Sequence, residues 1–254
     1  MVMMKRHRPI VRLAASVLFL AVLLLLWQWA VAEWAIPRWI LPAPLAIFRV
    51  MWEQSHVFWP HIRMSLLTVL LGFGIAVPLG ILLAALLTNF KWLDRALSPY
   101  LILLVTTPLI TLVPLLMYWL GYGMGVRVIA VIVQSFPIVN MNACTGFDNV
   151  ARLRLELMES MQAGRLETFR RVILPSAIPE VFTGIRLAAI FATTACISAE
   201  YVGGNNGLGS QIIKYSQFIK TEHAFACIFF VASIGVFLYG SVVLFERCLM
   251  RHRS

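Results

Sequence analysis

The sequence predicts an all-α integral membrane protein of about six transmembrane helices, and three observations carry that expectation. Of 254 residues, 61% are hydrophobic and only 13% charged, whereas a water-soluble domain carries about 45–50% apolar and about 25% charged residues. Five stretches hold no charge at all: Leu13 to Ala32, Met64 to Phe90, Ala96 to Val126, Val128 to Phe147 and Ala224 to Phe245. A sixth, Leu187 to Ile213, holds only Glu200. Each is long enough to cross about 30 Å of hydrocarbon, which takes about 20 helical residues. Finally, the 21 Lys and Arg that outnumber the 11 Asp and Glu sit between these runs rather than in one patch. The net charge of +10 therefore reads as membrane loops and not as a nucleic-acid face.

The first run follows Lys5, Arg6 and Arg8 and ends at Ala30-Val31-Ala32, which imitates a secretory signal with its cleavage site. It exceeds the roughly 7–15 residues of a signal core and more spans follow, so it reads as a retained helix after a basic N-terminal segment, residues 1–12. Residues 33–60 form a loop with Leu41-Pro42-Ala43-Pro44, then a short interfacial helix bearing Trp52, Phe58 and Trp59, aromatic residues that favour the membrane boundary. Short loops follow the second and third spans, the latter a flexible turn around Gly121, Gly123 and Gly125. Pro78, Pro108, Pro114 and Pro137 lie within spans and predict kinks that a membrane bundle tolerates. With six helices, 15 of the 21 basic residues fall on the side of both termini, which the positive-inside rule places in the cytoplasm. The layout is one transmembrane domain over residues 13–247 and a basic tail over 248–254.

The longest polar segment, Asp148 to Arg186, carries six arginines and four glutamates. From Asn149 to Val172 it has no proline and one glycine, so it is expected to be helical and to end before Pro175. It reads either as a docking surface or as a solvated linker between two hairpins. Glu200 is the informative intramembrane charge, because a carboxylate at bilayer depth costs about 2.5–3.5 kcal/mol on insertion scales. Two readings stand: a polar element of a translocation path or its gate, or a helix-end residue exposed to outer water beneath the turn Gly203-Gly204-Asn205-Asn206-Gly207.

Four scattered cysteines read as free thiols, and five histidines near loops or termini have no ligand-pair spacing. None of the four lysines follows a glycine, so no phosphate-binding loop is present, and only Asp94 and Asp148 are aspartates. No catalytic residues, metal site or cofactor are expected. A gradient-driven transporter is the rival class, and it predicts more midplane charges and a repeat of the two halves.

Within the polar loop Glu156, Gln162, Val172, Leu174 and Pro175 fall at the spacings of the cytoplasmic loop of type I ATP-binding-cassette importer permeases: Glu-Ala-Ala, three residues, Gly, nine residues, Ile, one residue, Leu-Pro. The chain resembles that family from about Leu41 to Glu246, with Leu41-Pro42-Ala43-Pro44, Ser65-Leu66, Pro114-Leu115, Trp119, Gly121, Phe136-Pro137, Gly184, Arg186, Ala199-Glu200 and Gly207-Leu208-Gly209 in order. It is most similar to the sulfonate, taurine, nitrate and thiamine-precursor branch.

The resemblance implies the six-helix permease (MetI-like) fold and a coupling loop at about 148–182 whose two short helices seat in an ATPase subunit. Leu157, Met158 and Met161 are the expected anchors, beside Gln162 and Ala163 at the turn, with Arg165, Arg170 and Arg171 as rim contacts. Leu157 and Met158 stand where the family has alanines, and Gln162 replaces its glycine. Glutamine resists a left-handed turn, so a less tight turn is expected there. Implied partners are two ATPase subunits, a second permease copy in a homodimer, a periplasmic or lipid-anchored solute-binding protein and membrane lipid, with no nucleic acid. The stretch Ala199 to Gly209 looks most like permeases for the hydroxymethylpyrimidine precursor of thiamine, ahead of sulfonate, taurine or nitrate.

Overall fold

The computed structural model describes residues 8–250, with all their side chains except those of residues 8–13, Arg152 and Arg165. The outer parts of the two basic terminal segments, residues 1–7 and 251–254, lie outside the described residues. In order the helices are α1 (Arg8–Glu33), α2 (Pro44–Glu53), α3 (Ser55–Asn89), α4 (Lys91–Thr106), α5 (Leu109–Leu120), α6 (Met124–Asp148), α7 (Arg152–Ser160), α8 (Arg165–Thr168), α9 (Leu174–Ser176), α10 (Ile178–Gly203), α11 (Leu208–Gln217) and α12 (Thr221–Met250). No strand occurs among the described residues.

Five helices, α1, α3, α6, α10 and α12, are long and apolar enough to cross a membrane, and α4 with α5 makes a sixth crossing bent by 105°. The kink expected at Pro108 in the third span, Ala96 to Val126, is a full break, while Pro78, Pro114 and Pro137 interrupt no helix. The break falls at Thr107-Pro108, where proline disfavours helical backbone in the residue before it and Thr107 turns extended at ψ 123°. The Thr107 hydroxyl and backbone N–H both donate to Leu103 O, at 2.7 and 2.9 Å, and so fasten the last turn of α4. Pro60, Pro78, Pro99, Pro114 and Pro137 all remain inside continuous helices, so proline by itself did not locate the break. The broken pair still carries the chain from one end of the bundle to the other. Lys91 at the start of α4 pairs with Asp148 at the end of α6 at 3.0 Å, while α5 leads through Gly121 and Gly123 into the start of α6.

The centre of the bundle is α6 and α10, 56% of whose apolar windows are buried against 6% for α1. Helices have little hydrophobic drive to associate within lipid, so close packing of small residues does much of the work. Gly80 of α3 lies where a Cβ would come within 2.7 Å of Val139, and Gly184 of α10 where one would come within 2.7 Å of Asn142. Ala188, Ala189, Ala192, Ala195 and Ala199 line the buried face of α10.

Two further boundaries depart from expectation. A separate short helix does follow the Leu41–Pro44 loop, α2 with Trp52, but Phe58 and Trp59 lie beyond it in the first turns of the 35-residue α3. Trp52 and Trp59 are exposed, yet Phe58 is fully buried and packs on Phe230, with ring centroids 5.4 Å apart. The run Leu187 to Ile213 divides at Gly203, and its remainder begins α11. Gly207 there takes φ 114°, a conformation open to glycine and strained for other residues.

Candidate functional site

The residues singled out from the sequence fall at opposite ends of the bundle. At the end away from the polar loop, Glu200 in the last turn of α10 is 0% exposed, so outer water does not solvate it. Its partners come from three other elements. Ser65 of α3 donates its hydroxyl at 2.7 Å to Oε1, and the backbone N–H of Gly209 donates to Oε2 at 2.8 Å. Arg127 of α6 places Nη1 4.0 Å from Oε1, and Cys196, one turn back, lies 3.5 Å away. Ser65 Oγ also accepts the N–H of Leu208 at 2.9 Å.

Leu208 and Gly209 are the first residues of α11, whose N-terminal N–H groups have no partner within the helix. Glu200 and Ser65 therefore cap α11 from neighbouring helices, with the carboxylate at the positive end of its dipole. The turn between α10 and α11 is fastened on its other side as well. Arg127 Nη1 donates to Asn206 O at 2.7 Å and its Nε to Gly123 O at 3.1 Å, and Gly207 N–H donates to His61 Nδ1 at 3.2 Å. A Cβ at Gly207 would lie 2.2 Å from the Glu200 carboxyl carbon, so the glycine also makes room for the carboxylate. Ser65, Arg127 and His61 were not read as partners of Glu200, because 135 positions separate Ser65 from it and no local spacing records the contact.

At the loop end the sequence residues do come together. Glu156, Leu157, Met158 and Met161 lie on or just beyond α7, which stops at Gln162 in the left-handed region with φ 55°. Gln162 N–H bonds to Glu159 O at 2.9 Å and Ala163 N–H to Met158 O at 3.0 Å, the paired bonds of a Schellman helix end. The less tight turn expected from glutamine is thus corrected: Gln162 takes the left-handed conformation in which glycine would be unstrained. That conformation costs a non-glycine residue roughly 1 kcal/mol. Gln162→Gly is accordingly expected to slow hydrogen exchange at the Ala163 amide about fivefold. Faster exchange in the variant would show the turn to be unstrained.

Leu157 is 61% and Met161 68% exposed, whereas Met158 is 9% exposed and turns inward. The outward apolar set is completed by Leu153, 78% exposed and four residues before Leu157. The i, i+4, i+8 spacing of Leu153, Leu157 and Met161 was readable from the sequence, but the family spacing drew attention to Met158 instead. Beyond the turn, the expected helix end before Pro175 is also corrected. The chain runs from α8 through a π-helical turn at Phe169–Ile173 into α9, which contains Leu174 and Pro175. A proline ring clashes with the carbonyl four residues back. The wider turn, with Leu174 N–H bonded to Phe169 O, gives that carbonyl room. Val172 lies in this turn, half-buried, and Phe169 packs on Phe147 of α6 at 5.3 Å.

A second ion pair ties the loop's exit to the last helix. Arg186 of α10 donates to Glu246 of α12 at 2.7 Å, with the carboxylate side chain 7% exposed, and also to Thr183.

Residues 76–251 match the family described as the binding-protein-dependent transport system inner membrane component. The chain is 27% identical over 238 residues to the formylaminopyrimidine transport permease protein ThiX of Halalkalibacterium halodurans, covering 93% of this chain and 95% of that one. It is 30% identical over 234 residues to the riboflavin transport system permease protein RibX of Chloroflexus aurantiacus, covering 91% and 87%. Other relatives at 24–28% identity are named as sulfonate, taurine and nitrate permeases. Among solved structures, an inward-facing methionine transporter, MetNI, superposes with a TM-score of 0.62 at 19% identity over 79% of this chain and 97% of that one.

Proposed function

The chain belongs to the family of binding-protein-dependent transport inner membrane components, and from that membership we propose that it carries a thiamine pyrimidine precursor of the hydroxymethylpyrimidine type into the cell. The membership itself makes it the permease subunit of an ATP-binding-cassette importer, a multi-pass, non-catalytic membrane protein that works with an ATPase and a binding protein. The gradient-driven alternative falls with it. In the proposed assembly two copies enclose the path in the inner membrane with both termini and the polar loop in the cytoplasm. Each loop seats in one of two ATPase subunits, and an external binding protein delivers the solute at the α10–α11 end. ATP-driven closure favours one arrangement of the bundles over the other, and so shifts the population between inward and outward states.

The loop's contribution is its exposed apolar ridge. Leu153, Leu157 and Met161 present a desolvatable face, the kind of surface that anchors a partner. Leu174 and Pro175 join the segment directly to α10, giving displacement of the loop a rigid route into the core. At the far end, Glu200 acts as the latch of an outer gate, holding α11 against α3 and α10.

For the substrate, one observation favours a neutral heterocycle over an anion. Among the described side chains, the two arginines buried or half-buried in the spanning helices, Arg127 and Arg186, are both engaged within the chain, one by backbone carbonyls beside Glu200 and the other by Glu246. Neither is aimed at a sulfonate or nitrate. Two relatives are also named for nitrogen heterocycles.

The test is to purify the protein in mild detergent, identify the co-purifying ATPase and binding protein by mass spectrometry, and reconstitute them in proteoliposomes. ATP-dependent uptake of labelled hydroxymethylpyrimidine should be competed by the unlabelled pyrimidine and not by a large excess of taurine or nitrate. The opposite competition overturns the substrate and leaves the importer intact.

A further inference from the structure

The loop end carries a feature that ATPase docking does not use. Where α3 ends, Leu82, Leu86 and Phe90 form one wall of an open groove of about 580 Å³ whose other wall is Leu166 and Phe169. Of its seven lining residues only Asn89 is polar. Leu82 is 64% and Leu166 71% exposed, so the chain leaves this apolar surface uncovered. A second hollow shares Leu166 and is lined by Gly164, Glu167, Arg170 and Arg171. Glu167 pairs with Arg171 at 3.2 Å, whereas Arg170 is exposed and has no carboxylate partner among the described residues.

An apolar groove that opens onto a cationic hollow has the chemistry of one ligand class, an acyl chain joined to an anionic headgroup. Depth in the membrane agrees. Phe90 and Trp92, 50% and 69% exposed, stand at the end of the long apolar α3, where aromatic residues mark the boundary between hydrocarbon and water. The arginines follow the groove on the side of the polar loop. Lys91 and Arg95 add positive charge to the same end, although Lys91 is held by Asp148. Basic pockets at helix ends on the cytoplasmic face are suited to anionic lipid headgroups.

We propose that this composite groove binds an anionic phospholipid, with an acyl chain along Leu82, Leu86, Phe90 and Leu166 and the phosphate at Arg170 and Arg171. The lipid then bridges the end of α3 and the start of α8, two segments that otherwise touch little, and so braces the half of the loop that leads into α10. Arg170 and Arg171, which the loop's resemblance marked as rim contacts for the ATPase, face lipid in this assignment, while the ridge on α7 faces the partner. The assignment needs only that the chain spans a membrane and is independent of the solute.

The probe is dioleoyl phosphatidylglycerol against dioleoyl phosphatidylcholine, offered to the detergent-purified transporter complex and read by native mass spectrometry as the number of lipids retained. A preference for phosphatidylglycerol of at least tenfold is expected. R170Q/R171Q should bring a tenfold preference to near parity, since roughly a factor of five for each arginine near an anionic surface is more than enough to cancel it. R247Q, which removes an exposed cation of α12 at the same end but outside the groove, should leave it unchanged. Leu166→Glu, placing a charge in the groove at an exposed position, should lower retention of both lipids. The assignment is overturned if wild type shows no preference, or if R247Q and R170Q/R171Q reduce it equally. It is overturned too if R170Q/R171Q lowers ATPase co-purification while lipid retention stays the same, for the arginines then belong to the protein interface.

Discussion

Replacing Leu157 by arginine is expected to reduce co-purification of the ATPase subunit by at least tenfold while membrane insertion and the yield of folded permease stay as in wild type. Leu157 is 61% exposed in the chain and sits between Leu153 and Met161 on one face of α7, the central position of the ridge. Central, fully desolvated anchors are where truncation costs about 2 kcal/mol or more, and a guanidinium forced into such a site adds an unpaired charge. Because Leu157 packs on little of its own chain, the variant has small reason to misfold. Glu159→Arg, about 200° around the helix from Leu157, supplies the same charge off the ridge and should change retention by less than about twofold. Equal loss from both variants would point to charge alone, and unchanged retention in Leu157→Arg would remove α7 from the interface.

The second large effect concerns the latch. Glu200→Ala should destabilise the detergent-solubilised protein by about 3–5 kcal/mol, the range for stripping one partner from a buried charge pair, and should lower uptake. The Gly209 N–H and the Ser65 hydroxyl lose their acceptor, and Arg127 loses its only nearby anion among the described residues. Glu200→Gln keeps the shape but replaces one acceptor oxygen by a donor. It is therefore expected to fold, with a smaller loss of stability and altered uptake. Ser65→Ala removes the bridge between the carboxylate and the Leu208 N–H, and it should couple to Glu200→Gln by more than 1 kcal/mol, since neighbours within one network are not additive. Thermal unfolding of wild type, Glu200→Gln, Ser65→Ala and the double variant measures the cycle, and Glu200→Ala is unfolded beside them. Additive losses would mean that Ser65 and Glu200 act separately, and an unchanged stability in Glu200→Ala would remove the latch altogether.

These two sites differ in how far the sequence revealed them. The α7 ridge is local: its residues are four apart on one helix, and a helical wheel of the loop alone sets Leu153, Leu157 and Met161 side by side. What the wheel lacks is which face the protein itself consumes. Met158 belongs by composition with the anchors, yet it is 9% exposed, and only the folded form of the loop makes that choice. Gln162 shows the same division. Glutamine's reluctance toward positive φ is a true local preference, but the paired bonds from Gln162 and Ala163 back into α7 outweigh a cost of about 1 kcal/mol. Proline was equally ambiguous. Of the prolines from α3 to α6, five sit in unbroken helix, and the break at Pro108 depends on how α4 and α5 pack rather than on the residue alone.

What the amino-acid sequence determined by itself is the division into spans, loops and a large polar segment, because lipid imposes a one-dimensional rule: a crossing segment must be apolar over about 20 residues and must satisfy its own backbone. That rule is legible without knowing any neighbour. Tertiary structure alone decided the fate of the exceptions: the burial of Phe58, which of the expected proline kinks becomes a break, and above all the role of Glu200, whose carboxylate is a helix cap only because Ser65 and Arg127 arrive from α3 and α6. A polar group in hydrocarbon must find partners wherever the fold supplies them, and those partners lie up to 135 residues away in the chain.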